Sequence, residues 1–336
     1  MNVAFTICSN NYLAKAKVVA DTFIFHHPSY KFLFFLVDIL DNKLDYSGLE
    51  KYQLIQIHEI VPNIVELAKK YNIIELNTAV KPAIFLYLFK TYKFSKVIYL
   101  DPDLMIFDTF NEVNEILDEV NNNVVVTPHF CSPIDDGKYP SEIDLAPYGL
   151  YNLGFIGVKL SAESERFLQW WHDRLMKYCF MQPQNGMFTD QLWVNHAPIF
   201  NEGVIILKHL GYNVANWNLY ERTITDSEVG YLVNKKYKLK FFHFSHYSFE
   251  QPYIISKHQN RHTIEERPDV QKLIDEYQSR LIANQQLAFS GSVCYYHTLY
   301  QQHQDTLQKQ KEQAENTFKR KIKNKTFALL TRVLGE

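Results

Sequence analysis

The chain has 336 residues, a length that predicts either one large domain with additions or two domains. Its 24 Phe, 22 Tyr and 4 Trp, beside only 21% charged residues, exclude disorder over most of the length because so much apolar surface is available for burial. The 35 Lys and Arg nearly balance the 37 Asp and Glu, so the chain lacks the overall positive field that favours nucleic-acid binding.

The cysteines and the apolar segments indicate a compartment. Four widely separated cysteines show no spacing typical of a zinc site or a disulfide framework, which is the usage expected in a reducing compartment: Cys8, Cys131, Cys179 and Cys294. We expect no signal peptide, because residues 1–7 contain no basic leader or cleavage site. The longest apolar run, 32–37, is far shorter than the ~20 residues of a membrane span. The sequence therefore predicts a cytoplasmic protein.

Strand-like and helical segments alternate along the chain, a pattern typical of an α/β fold. Strands are expected at 3–8, 32–37, 54–57, 96–100, 124–126, 151–158 and 239–244, and helices at 13–24, 64–71, 83–92, 162–178 and 188–195. The continuously apolar run 32–37 indicates a strand covered on both faces, as in a parallel sheet. A long Pro- and Asp-containing loop is expected at 127–148, and loops of that length are usually functional or mobile.

Two carboxylates, Asp101 and Asp103, follow the expected strand 96–100 directly. Open α/β sheets bind ligands at the carboxyl ends of their strands. Carboxylates on a short turn can hold Mg²⁺ or Mn²⁺ and leave coordination positions free for a diphosphate. The alternative is that Asp-Pro-Asp only forms the turn after the strand.

His243 lies in a late strand-like run, where alternation places it with Ser245 on one face and Phe242 and Phe244 on the other. A neutral imidazole that completes a site with two carboxylates suits a metal such as Mn²⁺. A single histidine among aromatic residues is also consistent with a core position.

Three further groups of polar residues are candidates for binding. Asn152 and Gly154 open a strand-like run, and Asp190 with Gln191 begins a short helical one; such amides and carboxylates can hold sugar hydroxyls. Alternatively, they form a turn and a helix start. The segment 9–12 after the first strand is suited to a nucleotide or to helix capping.

Taken in order, these segments resemble the GT-A-fold glycosyltransferases, in particular glycosyltransferase family eight and related bacterial surface-polysaccharide enzymes. The resemblance covers roughly residues 1–260 and rests on 6–12, 78–81, 96–107, 152–158, 188–195 and 243–245. It implies a Rossmann-like, mixed and mostly parallel sheet flanked by helices. It also implies transfer of a hexose with retention, from a nucleotide-sugar donor such as a UDP-sugar to a saccharide or lipid-linked acceptor, with Mn²⁺ or Mg²⁺ as cofactor.

The resemblance also implies roles for individual residues. Asp101 and Asp103 match the family's Asp-x-Asp motif, which binds metal and the donor ribose, and His243 matches its late metal-binding histidine. The donor residues it implies are Ile7, Ser9 and Tyr12 at the uracil, Lys81 near the donor sugar and diphosphate, and Asn152 and Gly154 beside the sugar. Asp190 and Gln191 match the family's Asp-Gln pair near the anomeric carbon.

The sequence departs from the family's pattern after the late strand. His246 stands where the family tends to have Gly, and Gln251-Pro252-Tyr253 replaces a Lys-Pro-Trp ending whose lysine holds the diphosphate. Lys257 is the candidate replacement. Ser9 and Asn10 also stand where the family often has Asp after its first strand, so the contacts with base and ribose are expected to differ.

The expected organisation is a catalytic domain at 1–260, a helical closing segment at 261–300 and a basic amphipathic C-terminal helix at 301–336. Residues 309–336 hold eight Lys or Arg and three Glu. With apolar residues such as Phe318 and Ile322 among them, they suggest contact with an anionic membrane, where lipid-linked acceptors reside. A solvated helix or a homo-oligomer contact is the alternative.

Other functions remain open at this point. A nucleotidyltransferase that makes the sugar nucleotide would also use carboxylates and metal, although residues 1–20 lack its usual Gly-rich loop. A glycoside hydrolase would need two flanking carboxyl groups, which do not account for a linked Asp-x-Asp and a late His. A catalytically degenerate sugar-nucleotide-binding or scaffolding protein is the non-enzymatic alternative. Within the transferase hypothesis, front-face attack by the acceptor and a covalent step through Asp190 both stand.

Overall fold

The computed structural model describes residues 2–333, without the side chains of 328–333. The end of the predicted basic helix, at 334–336, lies outside the described residues. The strands are β1 (Asn2–Cys8), β2 (Lys31–Leu36), β3 (Gln53–Gln56), β4 (Lys96–Leu100), β5 (Leu104–Ile106), β6 (Val124–Pro128), β7 (Tyr151–Lys159), β8 (Met181–Gln182), β9 (Met187–Phe188), β10 (Val204–Ile206), β11 (Val214–Ala215), β12 (Ile224–Thr225), β13 (Leu232–Val233), β14 (Tyr237–Lys238) and β15 (Phe241–His243).

Helices connect and flank these strands. They are α1 (Leu13–His26), α2 (Ile64–Lys70), α3 (Ile73–Ala79), α4 (Lys81–Tyr92), α5 (Asn111–Asp118), α6 (Glu142–Leu145), α7 (Ala162–Tyr178), α8 (Gln191–Val194), α9 (Ala197–Phe200), α10 (Pro268–Ala283), α11 (Gln286–Ser290) and α12 (Tyr295–Val333). No helix within residues 2–333 is long and apolar enough to cross a membrane.

A seven-stranded sheet in the order β10-β6-β7-β4-β1-β2-β3 forms the centre of the fold. All neighbours in it pair parallel except β7, which runs antiparallel to both β4 and β6. β4 is buried throughout and β1 and β2 nearly so, because apolar side chains of each strand pack into clusters on both faces of the sheet. The predicted α/β fold with a mostly parallel sheet is therefore confirmed.

A second, three-stranded sheet, β11-β15-β5, lies beyond the carboxyl end of β4. β15 pairs antiparallel with β5 and parallel with β11. The sequence did not predict β5 or β11, because strands of two or three residues carry too little alternation to be detected. This small sheet brings the late part of the chain next to the turn that follows β4.

Several predicted elements have different bounds in the structure. The expected loop at 127–148 contains α6 and a short 3-10 helix at Ala146–Tyr148. The expected strand at 239–244 is limited to β15, and the short helix at 188–195 is limited to α8. The C-terminal helix begins at Tyr295 rather than at residue 301, because the buried Tyr296 and Cys294 pack into the core beside α2 and α3.

Candidate active site

Three potential metal ligands meet at the carboxyl end of β4. Asp101 follows β4, Asp103 precedes β5, and His243 ends β15, where it lies opposite Leu104. The His243 Nε2 atom lies 3.0 Å from Asp103 Oδ1 and 3.8 Å from Asp101 Oδ2. One ligand atom from each of the three residues lies within 4.8 Å of the other two. The structure thus brings together the three residues that the sequence predicted as metal ligands.

Gly154 makes the space in which this cluster forms. A Cβ atom at this position would lie 2.7 Å from His243 Cε1, 2.8 Å from Asn152 Oδ1 and 2.9 Å from Asp101 Oδ2, all closer than van der Waals contact. The Gly154 backbone carbonyl accepts a hydrogen bond from the Asp101 amide at 2.8 Å, and its amide donates to Asn152 Oδ1 at 3.1 Å. The Asn-x-Gly motif therefore holds the strand β7 against the aspartates, and any larger residue would occupy the same volume.

Burial and charge shift the pKa values of the three groups in different directions. Burial raises the pKa of Asp101, against the opposing charges of Lys81 and His243. Burial also acts to raise the pKa of Asp103, but the charge of His243 and its hydrogen bond outweigh burial and lower that pKa to about 2. Burial acts to lower the pKa of His243, and the Asp103 carboxylate outweighs it and raises that pKa.

This donor set fits a divalent cation. Two carboxylate oxygens and an imidazole nitrogen are ligands that Mn²⁺ and Mg²⁺ accept, with the imidazole favouring the softer ion, Mn²⁺. His243 Nδ1 is shielded from solvent and has no hydrogen-bond partner among the described residues. Ligation through Nε2 requires the neutral imidazole, so a cation at this site would compete with a proton for that nitrogen.

A second buried network joins Lys81 to Asp190. Lys81 is 1% exposed and Asp190 is 3% exposed, and the Lys81 ammonium forms an ion pair with Asp190 Oδ2. The same ammonium donates to the Leu153 carbonyl oxygen at 2.9 Å and lies 4.1 Å from the centroid of the Tyr99 ring. The Tyr99 hydroxyl in turn donates to Asp101 Oδ1 at 2.5 Å. One continuous set of contacts therefore connects Asp190 with the metal cluster.

Gln191 fixes the backbone on the other side of this network. Its Oε1 atom accepts from the Leu153 amide at 3.1 Å, and its Nε2 atom donates to the Tyr148 carbonyl oxygen at 2.7 Å. The Trp171 indole donates to the Asp190 carbonyl oxygen at 3.2 Å. The Asp-Gln pair is therefore held rigidly at the start of α8, against the strand β7.

A cavity of about 720 Å³ opens beside the cluster, a volume within the range typical of ligand pockets. Its wall includes six of the residues that the sequence assigned to donor and metal: Ile7, Ser9, Tyr12, Asp101, Asp103 and Lys257. The cavity lies at the carboxyl ends of β1 and β4, where an open α/β sheet binds ligands.

His243 of the metal cluster, at the end of β15, does not form part of that wall as described. The same holds for the remaining five predicted residues, which are buried around β7 and α8: Lys81, Asn152, Gly154, Asp190 and Gln191. The ammonium of Lys81, expected near the diphosphate, is engaged by Asp190. A direct phosphate contact of Lys81 therefore stays a prediction, as do the sugar contacts of the other four residues.

The segment after Gly211 forms the wall behind His243. The Trp217 ring meets the His243 ring edge-on with centroids 5.2 Å apart. Asn218 Nδ2 donates to the His129 carbonyl oxygen at 2.7 Å, which joins this segment to the loop after β6. A Cβ on Gly211 would lie 1.9 Å from the Lys238 carbonyl oxygen, so glycine is required for this approach.

Sequence reasoning also missed several residues of the cavity wall. Lys15 from α1 lies there, and so do His246 and His258, whose ring centroids are 4.0 Å apart. Four more come from the segment just before the C-terminal helix and from its first turn: Ser292, Val293, Cys294 and His297. Helical spacing put Lys15 on the polar side of α1, but nothing local in the sequence marks the residues after 290 as neighbours of the first strand.

Comparison with known proteins gives distant relatives. No family model matches the chain. Two proteins of Bacillus subtilis (strain 168), both described as uncharacterized, are similar: YfnF is 29% identical over 99 residues, 30% of this chain, and YfnD is 23% identical over 206 residues, 60% of this chain. The matched regions span 33% of YfnF and 63% of YfnD, less than two thirds of either relative.

Comparison with solved structures gives two glycosyltransferases. The apo form of the glycosyltransferase GlyE of Streptococcus pneumoniae TIGR4 superposes with a TM-score of 0.50 and 15% identity, over 84% of this chain and 62% of that one. The galactosyltransferase LgtC, solved in complex with donor and acceptor sugar analogs, gives a TM-score of 0.47 and 16% identity over 83% of this chain and 95% of that one.

The chain has the GT-A fold, with an Asp-x-Asp and histidine cluster at the carboxyl edge of its sheet that could hold a metal ion. The expected resemblance to GT-A-fold glycosyltransferases is confirmed at the level of the fold. Membership of family eight stays a prediction.

Proposed function

We propose that this chain is a metal-dependent glycosyltransferase that moves a hexose from a UDP-sugar to a saccharide or lipid-linked acceptor with retention, in the synthesis of a bacterial surface polysaccharide or glycoconjugate. The observation that carries the proposal is the convergence of Asp101, Asp103 and His243 beside a cavity large enough for a nucleotide-sugar. The GT-A fold supports it, since the structurally similar GlyE and LgtC are glycosyltransferases.

Asp101, Asp103 and His243 would hold Mn²⁺ or Mg²⁺, which would supply positive charge to stabilise the departing diphosphate. The residues of the chain orient the donor around that point. The phenol ring of Tyr12 and the apolar side chain of Ile7 offer surface for the base, and the exposed ammonium of Lys257 can reach toward the phosphates.

Asp190 is the carboxylate beside which we place the anomeric carbon. Its charge is already neutralised by Lys81, which makes it a weaker nucleophile than a free carboxylate. This pairing favours front-face attack over a covalent step. The acceptor hydroxyl oxygen then bonds to the anomeric carbon while the bond from that carbon to the phosphate oxygen breaks, and the leaving phosphate oxygen takes the hydroxyl proton.

The test is release of UDP from a panel of UDP-sugars in the presence of Mn²⁺, with the wild type, the Asp103→Asn variant and an Asp305→Asn control. Asp305 is an exposed carboxylate on α12, so its substitution should leave turnover unchanged. Loss of one metal ligand should reduce turnover by about 100-fold or more, while the thermal unfolding temperature still shows a folded protein. Full activity of Asp103→Asn would refute the metal assignment.

Further measurements on the same protein separate the alternatives. Metal-dependent binding of UDP without turnover on any sugar would indicate a degenerate binding protein. Formation of a nucleotide-sugar from a sugar phosphate would indicate a nucleotidyltransferase. Analysis of the product would then identify the sugar, the acceptor and the linkage.

The outer part of α12 is our candidate surface for an anionic membrane. Side chains from residue 308 to 327 are exposed, and residues 309–327 hold seven Lys or Arg against two Glu, with the exposed apolar Phe318 and Ile322 one turn apart. Binding to anionic vesicles that is lost when residues 309–336 are removed would support this contact. Equal binding by both proteins would refute it, and a change in mass in solution would instead indicate a homo-oligomer contact.

A further inference from the structure

The first turn of the C-terminal helix forms part of the cavity beside the metal cluster. His297 of this turn lies on the cavity wall with three residues of the segment just before the helix, Ser292, Val293 and Cys294. These four residues are far along the chain from the residues of β1 that share the cavity. Tyr296 is 2% exposed and packs with Cys294 into the same core cluster as the strands β1 and β2. The first turn of α12 is therefore packed against the core of the fold, unlike the part of the helix whose side chains are exposed, from residue 308 to 327.

One carboxylate, Asp38, holds two walls of the cavity together. It is 1% exposed and follows β2, and it accepts hydrogen bonds from the backbone amides of Asn10 at 3.2 Å and Tyr295 at 2.8 Å. The Asn10 amide belongs to the turn after β1, and the Tyr295 amide is the first of α12. The Cys294 thiol adds a contact to the Val37 carbonyl oxygen at 3.5 Å. The start of α12 is thus positioned relative to the turn at Ser9–Tyr12.

The order of the strands determines which part of a nucleotide this wall would meet. β4, β1 and β2 are parallel neighbours, so their carboxyl ends follow one another along one edge. At about 4.8 Å per strand, the end of β2 lies roughly 10 Å along that edge from the end of β4. A nucleoside that extends from a diphosphate next to Asp101 across β1 would therefore reach Asp38 and α12.

Two polar atoms in this region are shielded from solvent and lack a hydrogen-bond partner among the described residues. They are Asn77 Oδ1 and His297 Nδ1, and both residues line the cavity. Asn77 Nδ2 donates to the Ile73 carbonyl oxygen at 2.9 Å, so the free atom of that amide is the oxygen, an acceptor. The imidazole nitrogen can donate. Three apolar residues line the same cavity: Ile73, Ile74 and Val293.

We infer that the first turn of α12, together with α3, forms the base subsite of the nucleotide pocket, with Asn77 and His297 as specificity-determining residues for a uracil ring. This inference rests on the proposed function and assigns residues to its donor. Uracil presents an imide N–H between two carbonyl oxygens. Asn77 Oδ1 accepts from that N–H, and His297 Nδ1 donates to a neighbouring carbonyl oxygen. Cytosine lacks the imide proton, so the same pair discriminates against it.

The experiment measures binding of UDP and of CDP to the full chain at saturating Mn²⁺ by titration calorimetry. The variants are His297→Phe, which keeps a ring but lacks the nitrogen, and Asn77→Ala. The matched control is His303→Phe, six residues further along α12 and outside the cavity wall described above. Because a buried partner left unpaired is costly, each of the two variants should bind UDP about tenfold more weakly and lose most of the preference for UDP over CDP.

Each outcome is informative. Wild-type affinity and base preference in both variants would overturn the subsite, while the proposed transferase would stand. A wild type that binds no nucleotide with Mn²⁺ would overturn the proposed function and this inference with it. Equal loss in the His303→Phe control would show a general disturbance of α12 and would also overturn the assignment. Unfolding temperatures measured beside the titrations identify a variant that fails to fold, for which His297→Gln replaces His297→Phe.

Discussion

Replacing Lys81 by methionine tests how the structure holds Asp190. The substitution keeps the length of the aliphatic chain but removes the ammonium from a pair in which the lysine is 1% and the aspartate 3% exposed. Asp190 would keep its hydrogen bond with the Thr189 hydroxyl at 3.3 Å but lose its cationic partner. Removing one member of a buried ion pair costs about 3–5 kcal/mol, because the other charge stays buried and uncompensated.

The assay is unfolding by urea, followed by circular dichroism, for Lys81→Met, Asp190→Asn and the double variant. A typical domain has a free energy of unfolding of about 5–15 kcal/mol, so Lys81→Met should fold but unfold at much lower urea concentration. The double variant should be more stable than the sum of the single changes predicts, by about 2 kcal/mol, since it leaves no unpaired charge.

An exposed ion pair provides the control. Lys51 and Asp21 approach to 2.7 Å, but the lysine side chain is 63% exposed, so Lys51→Met should cost less than about 1 kcal/mol. The interpretation of the buried pair would be refuted if Lys81→Met cost no more than this control, or if the two single changes were additive. In either case Asp190 would not depend on Lys81, and the assignment of a neutralised, non-nucleophilic carboxylate would lose its basis.

Two further predictions concern the metal cluster and the dependence of stability on pH. Gly154→Ala puts a methyl group 2.7 Å from His243 Cε1, so Mn²⁺ affinity measured by electron paramagnetic resonance should fall about 10- to 100-fold. The control is Gly157→Ala on the same strand, whose added methyl group would lie 3.3 Å from its nearest atom and should leave Mn²⁺ binding normal. Equal Mn²⁺ affinities of the two variants would refute the crowding at Gly154. Burial lowers the pKa of His27 to about 4, and its Nε2 accepts the Phe110 amide at 2.8 Å, so the folded state keeps the neutral ring. Because the pKa of His27 is higher in the unfolded state, the free energy of unfolding should fall by about 3 kcal/mol from this residue as the pH drops from about 6.5 to 4. This pH dependence should be absent in His27→Gln. Parallel plots of unfolding free energy against pH for the wild type and the variant would contradict the pKa shift.

The metal cluster could be predicted because each of its residues carries a local signal. Asp101 and Asp103 follow a strand whose last four residues, 97–100, are apolar, and alternation in the run around His243 places the imidazole opposite the phenylalanines. What the sequence could not show is the pairing of β15 with β5, which brings His243 next to Asp103, a residue 140 positions earlier in the chain. The resemblance to a known fold supplied that juxtaposition.

The direction of long side chains and the contacts of the C-terminal helix were beyond sequence reasoning. Lys81 was expected near the diphosphate because its position in the chain matches a basic residue, but position does not determine whether an ammonium points to a ligand or to Asp190. The contact between Asp38 and Tyr295 joins residues that are 257 positions apart, and neither residue lies in a sequence motif that predicts this contact. Such long-range backbone contacts depend on the packing of the whole chain.

The distribution of charge along the chain explains why the proposed function would require a metal ion at the cluster of Asp101, Asp103 and His243. Since residues 309–336 carry eight Lys or Arg and three Glu, residues 1–308 carry a net charge of −7. Lys15 and Lys257 are the lysines on the cavity wall, whereas Lys81 lies outside it and is paired with Asp190. Burial lowers the pKa of Lys15 despite the opposing charge of Asp103. A diphosphate in this cavity would face two carboxylates with little cationic side-chain charge around it. Binding of a divalent cation and of the nucleotide should therefore be one coupled event, because each lowers the electrostatic cost of the other.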